Sequence, residues 1–280
     1  MDSETWREAQ ATVEVDVDRH TFDVAYHESG AGDTVTVFLH GIPTWGFLWR
    51  EVIDAVGHAV VPDLPGHGYT RHRSEGGFDR SVKAQTEYLE AILDKLGLGT
   101  VQLVAHDIGG AVALRLAIES DRVDRLVLSN ATCYDSWPVP FILEYGAASR
   151  ARAMTYQDVQ RELRELFTNG VSTPDRATDT FVDGMIAPYI APDVPPTRLS
   201  RNAVATDTNH TLELAPRHDE IDAETLLLWG YPGSGQHAGY ARRLATDIPD
   251  ADTEFIGDTH HWVVQEQPAA YADGLASFLE

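Results

Sequence analysis

Cysteine is almost missing from this chain. Cys133 is the only one, which excludes an intrachain disulfide and a cysteine-based metal cluster. Lysine is nearly as scarce: Lys83 and Lys95 stand alone, and the remaining basic residues are arginine. Positive charge as a whole is short, with 21 Lys+Arg against 44 Asp+Glu and a formal net charge of −23. Without basic runs along the chain, nucleic acid and anionic membranes are poor partners. No apolar run reaches the roughly 18 residues of a membrane-spanning helix. The segment Met1-Asp2-Ser3-Glu4-Thr5-Trp6-Arg7 lacks the basic start and apolar stretch of a secretion signal, so a cytoplasmic location is expected. Phosphate-loop and dinucleotide fingerprints are missing, as is a His-x-x-x-His helix with an intervening acid. No metal and no cofactor is therefore expected.

What is present is acid, dispersed along the chain and not gathered in a tail. Dispersed carboxylates with few lysines predict a halophilic surface, one that salt must screen against self-repulsion. Hydrophobic residues make up 43% of the chain, enough to fill a core at this length of 280 residues.

Residues 12–17 and 21–27 alternate like two hairpin strands. Residues 34–39 form a β-rich run ending at His40-Gly41, and 45–56 has helical spacing. A further strand over 58–61 leads into Pro62-Asp63-Leu64-Pro65-Gly66-His67-Gly68. Residues 79–96 read as an amphipathic helix closed by Gly97 and Gly99. An apolar run over 101–105, a helix to about 119 and a strand over 125–129 follow. Alternating strands and helices predict an α/β fold, a mostly parallel sheet flanked by helices. From 133 to 215 the rhythm changes to helical stretches with prolines, the clearest helix being 152–166. Strand and helix resume at 225–229 and end with a helix over 269–279. The division is a core of 1–132 and 216–280 with an inserted helical cap of 133–215.

The most informative short motif is Ala105-His106-Asp107-Ile108-Gly109. It has the small-x-nucleophile-x-small form of a strand-to-helix elbow, but with a carboxylate where serine is usual. A serine there attacks acyl carbon. A carboxylate can displace a leaving group from saturated carbon and form an ester on the enzyme, which water then cleaves.

Three motifs in order then carry a resemblance: His40-Gly41-Ile42-Pro43-Thr44-Trp45-Gly46, Asp63-Leu64-Pro65-Gly66-His67-Gly68 and the aspartate elbow, with a C-terminal His261-Trp262. Together they resemble the α/β-hydrolase fold with an aspartate nucleophile, as in haloalkane dehalogenases and epoxide hydrolases. The resemblance implies Asp107 as nucleophile, His261 as the base that activates water, and the backbone N–H groups of Ile42 and Ile108 as the oxyanion hole. His260 stands where the family usually has glycine. Of these two neighbours only one can point inward on an extended segment, and the following aromatic favours His261. The substrate expected is a small apolar molecule; nothing in the sequence sets the oligomeric state.

The acid that orients the histidine is the open position. Counting from Trp229-Gly230 places it on Gly233, and the alternative after the preceding strand falls on Asn130. Asn130 can accept from imidazole without full charge, and Asp135 five residues on is a relocated candidate. Ile42 and Ile108 also lack the side-chain N–H with which dehalogenases hold halide. Trp45, Trp137 and Trp262 are the candidate pocket donors in their place. Epoxide hydrolysis needs a cap tyrosine, for which Tyr145, Tyr156 and Tyr189 are available, Tyr156 being placed with the pocket. The expected activity is dehalogenase-like hydrolysis. Epoxide hydrolysis and a catalytically silent ligand-binding scaffold are the alternatives.

Overall fold

A computed structural model of the chain describes residues 1–204, 207 and 209–279. Its strands are β1 (Ala11–Val17), β2 (His20–Gly30), β3 (Thr36–Leu39), β4 (His58–Pro62), β5 (Arg71–His72), β6 (Val101–His106), β7 (Val123–Ser129), β8 (Glu224–Pro232) and β9 (Ala251–Thr259). They form one sheet in the order β1-β2-β4-β3-β6-β7-β8-β9, with β5 beside β2. Pairings that involve β2 are antiparallel, and those from β4 through β3 to β9 are parallel. All six residues of β6 are buried, as expected of a parallel strand covered on both faces. The chain leaves β3 for β4 on one side and returns to β6 on the other. The carboxyl ends of β3 and β6 therefore diverge, and a sheet of this kind binds ligands at such a point.

The helices are α1 (Ser3–Ala9), α2 (Val82–Lys95), α3 (Ile108–Glu119), α4 (Pro140–Gly146), α5 (Ala148–Ala153), α6 (Tyr156–Asn169), α7 (Asp179–Ile186), α8 (Arg198–Val204), α9 (Asn209–Leu212), α10 (Ala238–Asp247), α11 (Val263–Glu266) and α12 (Pro268–Leu279). In α2 the Ser81 hydroxyl accepts from the Ala84 N–H, and Val82, Leu89, Ile92 and Leu93 are buried. Each such side chain contributes about 1.5–3 kcal/mol by burial. None of the helices among the described residues is long and apolar enough to cross a membrane. Between β7 and β8 lie α4 to α9 and short 3₁₀ turns, with no strand among the described residues.

Two helix expectations are corrected. Residues 45–56 form two 3₁₀ turns, Gly46–Trp49 and Ile53–Ala55, and no continuous helix. Trp45, Phe47, Leu48, Trp49 and Val52 are all buried, with Glu51 and Asp54 left exposed, and the Gly46 N–H is taken by Asp63 Oδ1 at 2.9 Å instead of by a helical carbonyl. The helix read at 152–166 breaks before Tyr156. Thr155 accepts from the Asp158 N–H while the Asp158 carboxylate accepts from the Thr155 N–H, a capping box that starts a new helix.

Contacts between the inserted helices and the core are specific. Trp45 Nε1 donates to the Gly184 carbonyl on α7 at 3.0 Å. A Cβ at Gly184 would come within 2.2 Å of the Phe47 ring. The His261 N–H donates to the Gly170 carbonyl at 3.1 Å.

Candidate active site

Asp107 closes β6 and opens α3 with φ 54° and ψ −123°, a conformation that costs a non-glycine residue free energy and is held only by its surroundings. Small neighbours make it possible. A Cβ at Gly109 would lie 2.5 Å from the His40 carbonyl oxygen, and one at Gly110 2.2 Å from the Ala131 Cβ. On the opposite strand end, a Cβ at Gly41 would lie 2.4 Å from Asp107 Oδ1. The elbow, the end of β3 and residue 131 thus close around one carboxyl group.

That carboxyl is 2% exposed. The Ile42 N–H donates to its Oδ1 at 2.8 Å, and the Ile108 N–H is close enough to favour the ionised form. Burial pushes the carboxyl pKa up to about 7, against the lowering effect of the two N–H groups. His261 Nε2 lies 3.6 Å from Asp107 Oδ2. Burial pushes its imidazole down to about 4. Near neutral pH the ring is therefore uncharged, and the contact is a neutral base beside a carboxyl group, not an ion pair. The His106 ring packs against it, tilted by 48° with ring centroids 4.8 Å apart. Burial also holds His106 well below the usual histidine range, and its Nδ1 meets Ser129 Oγ at 3.3 Å. His260 is turned away, its N–H donating to Glu266 Oε1 at 2.7 Å.

His261 Nδ1 is buried and has no hydrogen-bond partner among the described residues. Asp135 is not brought to it. Tyr134 turns inward with φ 49°, which leaves the next side chain, Asp135, exposed and accepting from the Tyr240 hydroxyl at 3.4 Å. Asn130 is buried but otherwise engaged. Its Oδ1 accepts from the Gly230 N–H at 3.0 Å and its Nδ2 donates to the Gln236 carbonyl at 3.4 Å, so it pins the loop after β8. The position facing the imidazole is Gly235, where a Cβ would lie 3.7 Å from His261 Nδ1, whereas a Cβ at Gly233 would meet the Gly230 carbonyl oxygen. The register of β8 against β9 shifts between Tyr231 and Pro232, and counting along the sequence does not follow such an irregularity.

A cavity of about 390 Å³ opens over this group. Asp107 and His261 form part of its wall together with Ile42, Trp137, Ile142, Tyr145, Leu166 and Trp262. Two expected pocket residues lie elsewhere. Trp45 is spent on the Gly184 contact and fully buried. Tyr156 is 41% exposed and its hydroxyl donates to the Val194 carbonyl at 2.8 Å. Ile108 does not line the cavity; its N–H acts on the Asp107 carboxyl. Tyr189 is buried away from the cavity, and of the three cap tyrosines Tyr145 reaches it. Sequence reasoning missed Glu162, Glu165 and Asn169, which share one face of α6 and also line the cavity. Polar residues at this helical spacing read as a solvated face, and only the placement of α6 reveals otherwise.

The sequence model of the alpha/beta hydrolase family matches residues 36–274. A haloalkane dehalogenase of Mesorhizobium japonicum is 38% identical over 277 residues, 91% of this chain and 87% of its own length. A cis-3-alkyl-4-alkyloxetan-2-one decarboxylase of Xanthomonas campestris is 23% identical, covering 92% of each chain. An epoxide hydrolase solved without ligand superposes with a TM-score of 0.79 at 20% identity, over 96% of this chain and 98% of its own. These relatives carry three different reactions on one scaffold, so the scaffold does not choose among them. The chain belongs to the alpha/beta hydrolase family.

Proposed function

We propose that the protein hydrolyses a small, largely apolar haloalkane through an ester on Asp107. One observation carries this reading: a buried carboxyl group that accepts from the Ile42 N–H and lies 3.6 Å from a neutral imidazole, at the wall of a 390 Å³ cavity. The ionised carboxylate attacks saturated carbon and the carbon–halogen bond breaks with its electron pair leaving on halide. His261 Nε2 then takes a proton from water as that water attacks the ester carbonyl. The Ile42 and Ile108 N–H groups receive the oxyanion, and collapse returns the Asp107 carboxylate and releases an alcohol. The 38% identical dehalogenase supports halide as leaving group. Trp137, on the cavity wall, is the candidate indole to receive it in place of the aliphatic Ile42 and Ile108.

Epoxide opening is the second reading, and Tyr145 favours it. Its phenol lines the cavity, and burial pushes its pKa up to about 12. It therefore stays protonated near neutral pH and is able to donate to a ring oxygen. The test uses His261→Gln with a haloalkane panel and an epoxide panel. The expected result is one equivalent of halide per enzyme and a mass gain of one alkyl group on Asp107, absent in Asp107→Asn. Hydroxyalkyl ester adducts on Asp107 with epoxides alone would select the second reading. No adduct and no product with either panel would reduce the protein to a ligand-binding scaffold.

A further inference from the structure

A second cavity, of about 500 Å³, opens at the seam between residues 66–72 of the core and residues 191–201 of the inserted segment. Arg7, Arg71, Arg80, Arg198 and Arg201 line it, and Asp193 is the one acid on its wall among the described residues. This is unexpected in a chain of net charge −23. Of the 21 Lys+Arg, 19 are arginine. Eleven arginines form ion pairs within 4.0 Å. Five of the eight that form none among the described residues are the five on this wall.

Among the described residues none of the five has a carboxylate within ion-pair distance, although the buried Asp63 carboxylate is near enough to favour the charged form of Arg198. Arg198 donates to the carbonyls of Gly66, Gly68 and Pro188 at 2.9–3.1 Å. Arg7 lies over the Tyr69 ring at 4.4 Å and Arg80 over Phe78 at 3.8 Å. Arg80 Nε is buried without a hydrogen-bond partner. The guanidinium groups of Arg71 and Arg201, both on exposed residues, have no hydrogen bond or ion pair among the described residues. Burial first, then the neighbouring Arg201 and Arg198, lowers Arg80 to about 10, so it stays charged near neutral pH while feeling its like-charged neighbours. Guanidinium forks match phosphate oxygens in bidentate geometry and are weakly hydrated. Phe78 and Pro192 add an apolar flank for an organic portion.

We infer that this cavity binds a small molecule carrying a phosphate or diphosphate group, at a site separate from the Asp107 cavity. The five guanidinium groups lining one open cleft, none in an ion pair within 4.0 Å among the described residues, are the ground for it. The anion would bridge the turn after β4 to α8 and so tie the core to the inserted helices. The experiment titrates the whole chain with inorganic pyrophosphate and with inorganic phosphate by calorimetry, with sodium chloride matching ionic strength throughout. Saturable binding of one equivalent is expected, weakened at least tenfold in Arg201→Gln and in Arg71→Gln. Arg242→Gln is the control. Arg242 also forms no ion pair but lies over Phe255 at 5.0 Å, and its loss should leave affinity within twofold of the parent. An unliganded thermal midpoint equal to that of the parent verifies folding of each variant. Two results would overturn the inference: heats no larger than chloride gives, or an equal loss in Arg242→Gln.

Discussion

Replacing Asp107 by asparagine is expected to stabilise the protein while abolishing its chemistry. The carboxyl is 2% exposed and burial moves its pKa from 3.8 to about 7. The folded chain therefore holds a proton that the unfolded chain has lost between those values. Folding stability must fall as pH rises through that window, by about 1.4 kcal/mol per unit. Three units set a ceiling of about 4 kcal/mol, and water in the adjoining cavity reduces it to about 2–4 kcal/mol. Asparagine carries no charge, keeps an oxygen for the Ile42 N–H and tolerates positive φ. The two proteins should have equal stability below pH 4, diverge between pH 4 and 7, and stay separated by a constant gap above 7. His261 titrates the opposite way. Its folded value of about 4 lies below the free 6.5, so its contribution is lost as pH falls from 6.5 toward 4. That loss is common to both proteins and cancels in the difference. Urea unfolding at pH 4, 5, 6, 7 and 8, at constant ionic strength and constant m, reads the gap. A gap that does not change with pH, or an asparagine variant less stable at pH 8, would show that the carboxylate is stabilised as an ion pair with imidazolium and refute the reasoning.

Further outcomes follow from the same geometry. The rate of ester formation should rise about tenfold per pH unit below 7 and level off above, because only ionised Asp107 attacks; a limb near pH 4 in single-turnover kinetics would contradict the raised carboxyl. Gly235→Asp should bring a carboxylate near His261 Nδ1, since a Cβ there would lie 3.7 Å away, at some cost in stability because residue 235 has φ 71°, and speed hydrolysis of the ester about tenfold or more without changing its formation; a folded variant whose single-turnover hydrolysis rate equals that of the parent would sink it. Gly41→Ala should lower turnover about 100-fold, since a displacement of the order of 1 Å in a reacting group costs that much and its Cβ would lie 2.4 Å from Asp107 Oδ1. Circular dichroism should show the variant folded, and unchanged turnover would mean the elbow absorbs the methyl group.

Local signals were enough where one side chain or a short run carries the physics. The apolar run of β6, the small residues around Asp107 and the helical period of α2 each identify their element without reference to distant chain. The capping box at Thr155 is equally local, its Thr-x-x-Asp pattern standing in the sequence, but the helical period running through 152–166 masks it. Residues 45–56 keep a helix-like pattern of buried and exposed positions but form two 3₁₀ turns, because periodicity does not reveal that the Gly46 N–H is drawn off to Asp63.

The amino-acid sequence by itself determined the alternation of the sheet and the carboxylate at the elbow, because strand burial and the strand-to-helix turn are set by neighbours along the chain. It also limited the inward histidine to one of His260 and His261, since adjacent side chains of an extended segment point apart, with Trp262 favouring His261. Only the tertiary structure decided that Gly235 faces the imidazole, that Asp135 points to solvent, and that α6 brings Glu162 and Asn169 to the cavity. It alone gathered Arg7, Arg71, Arg80, Arg198 and Arg201, which are scattered over nearly 200 positions of sequence, around one space. Those facts depend on how loops and inserted helices close over the sheet, and distances between remote segments have no local signature.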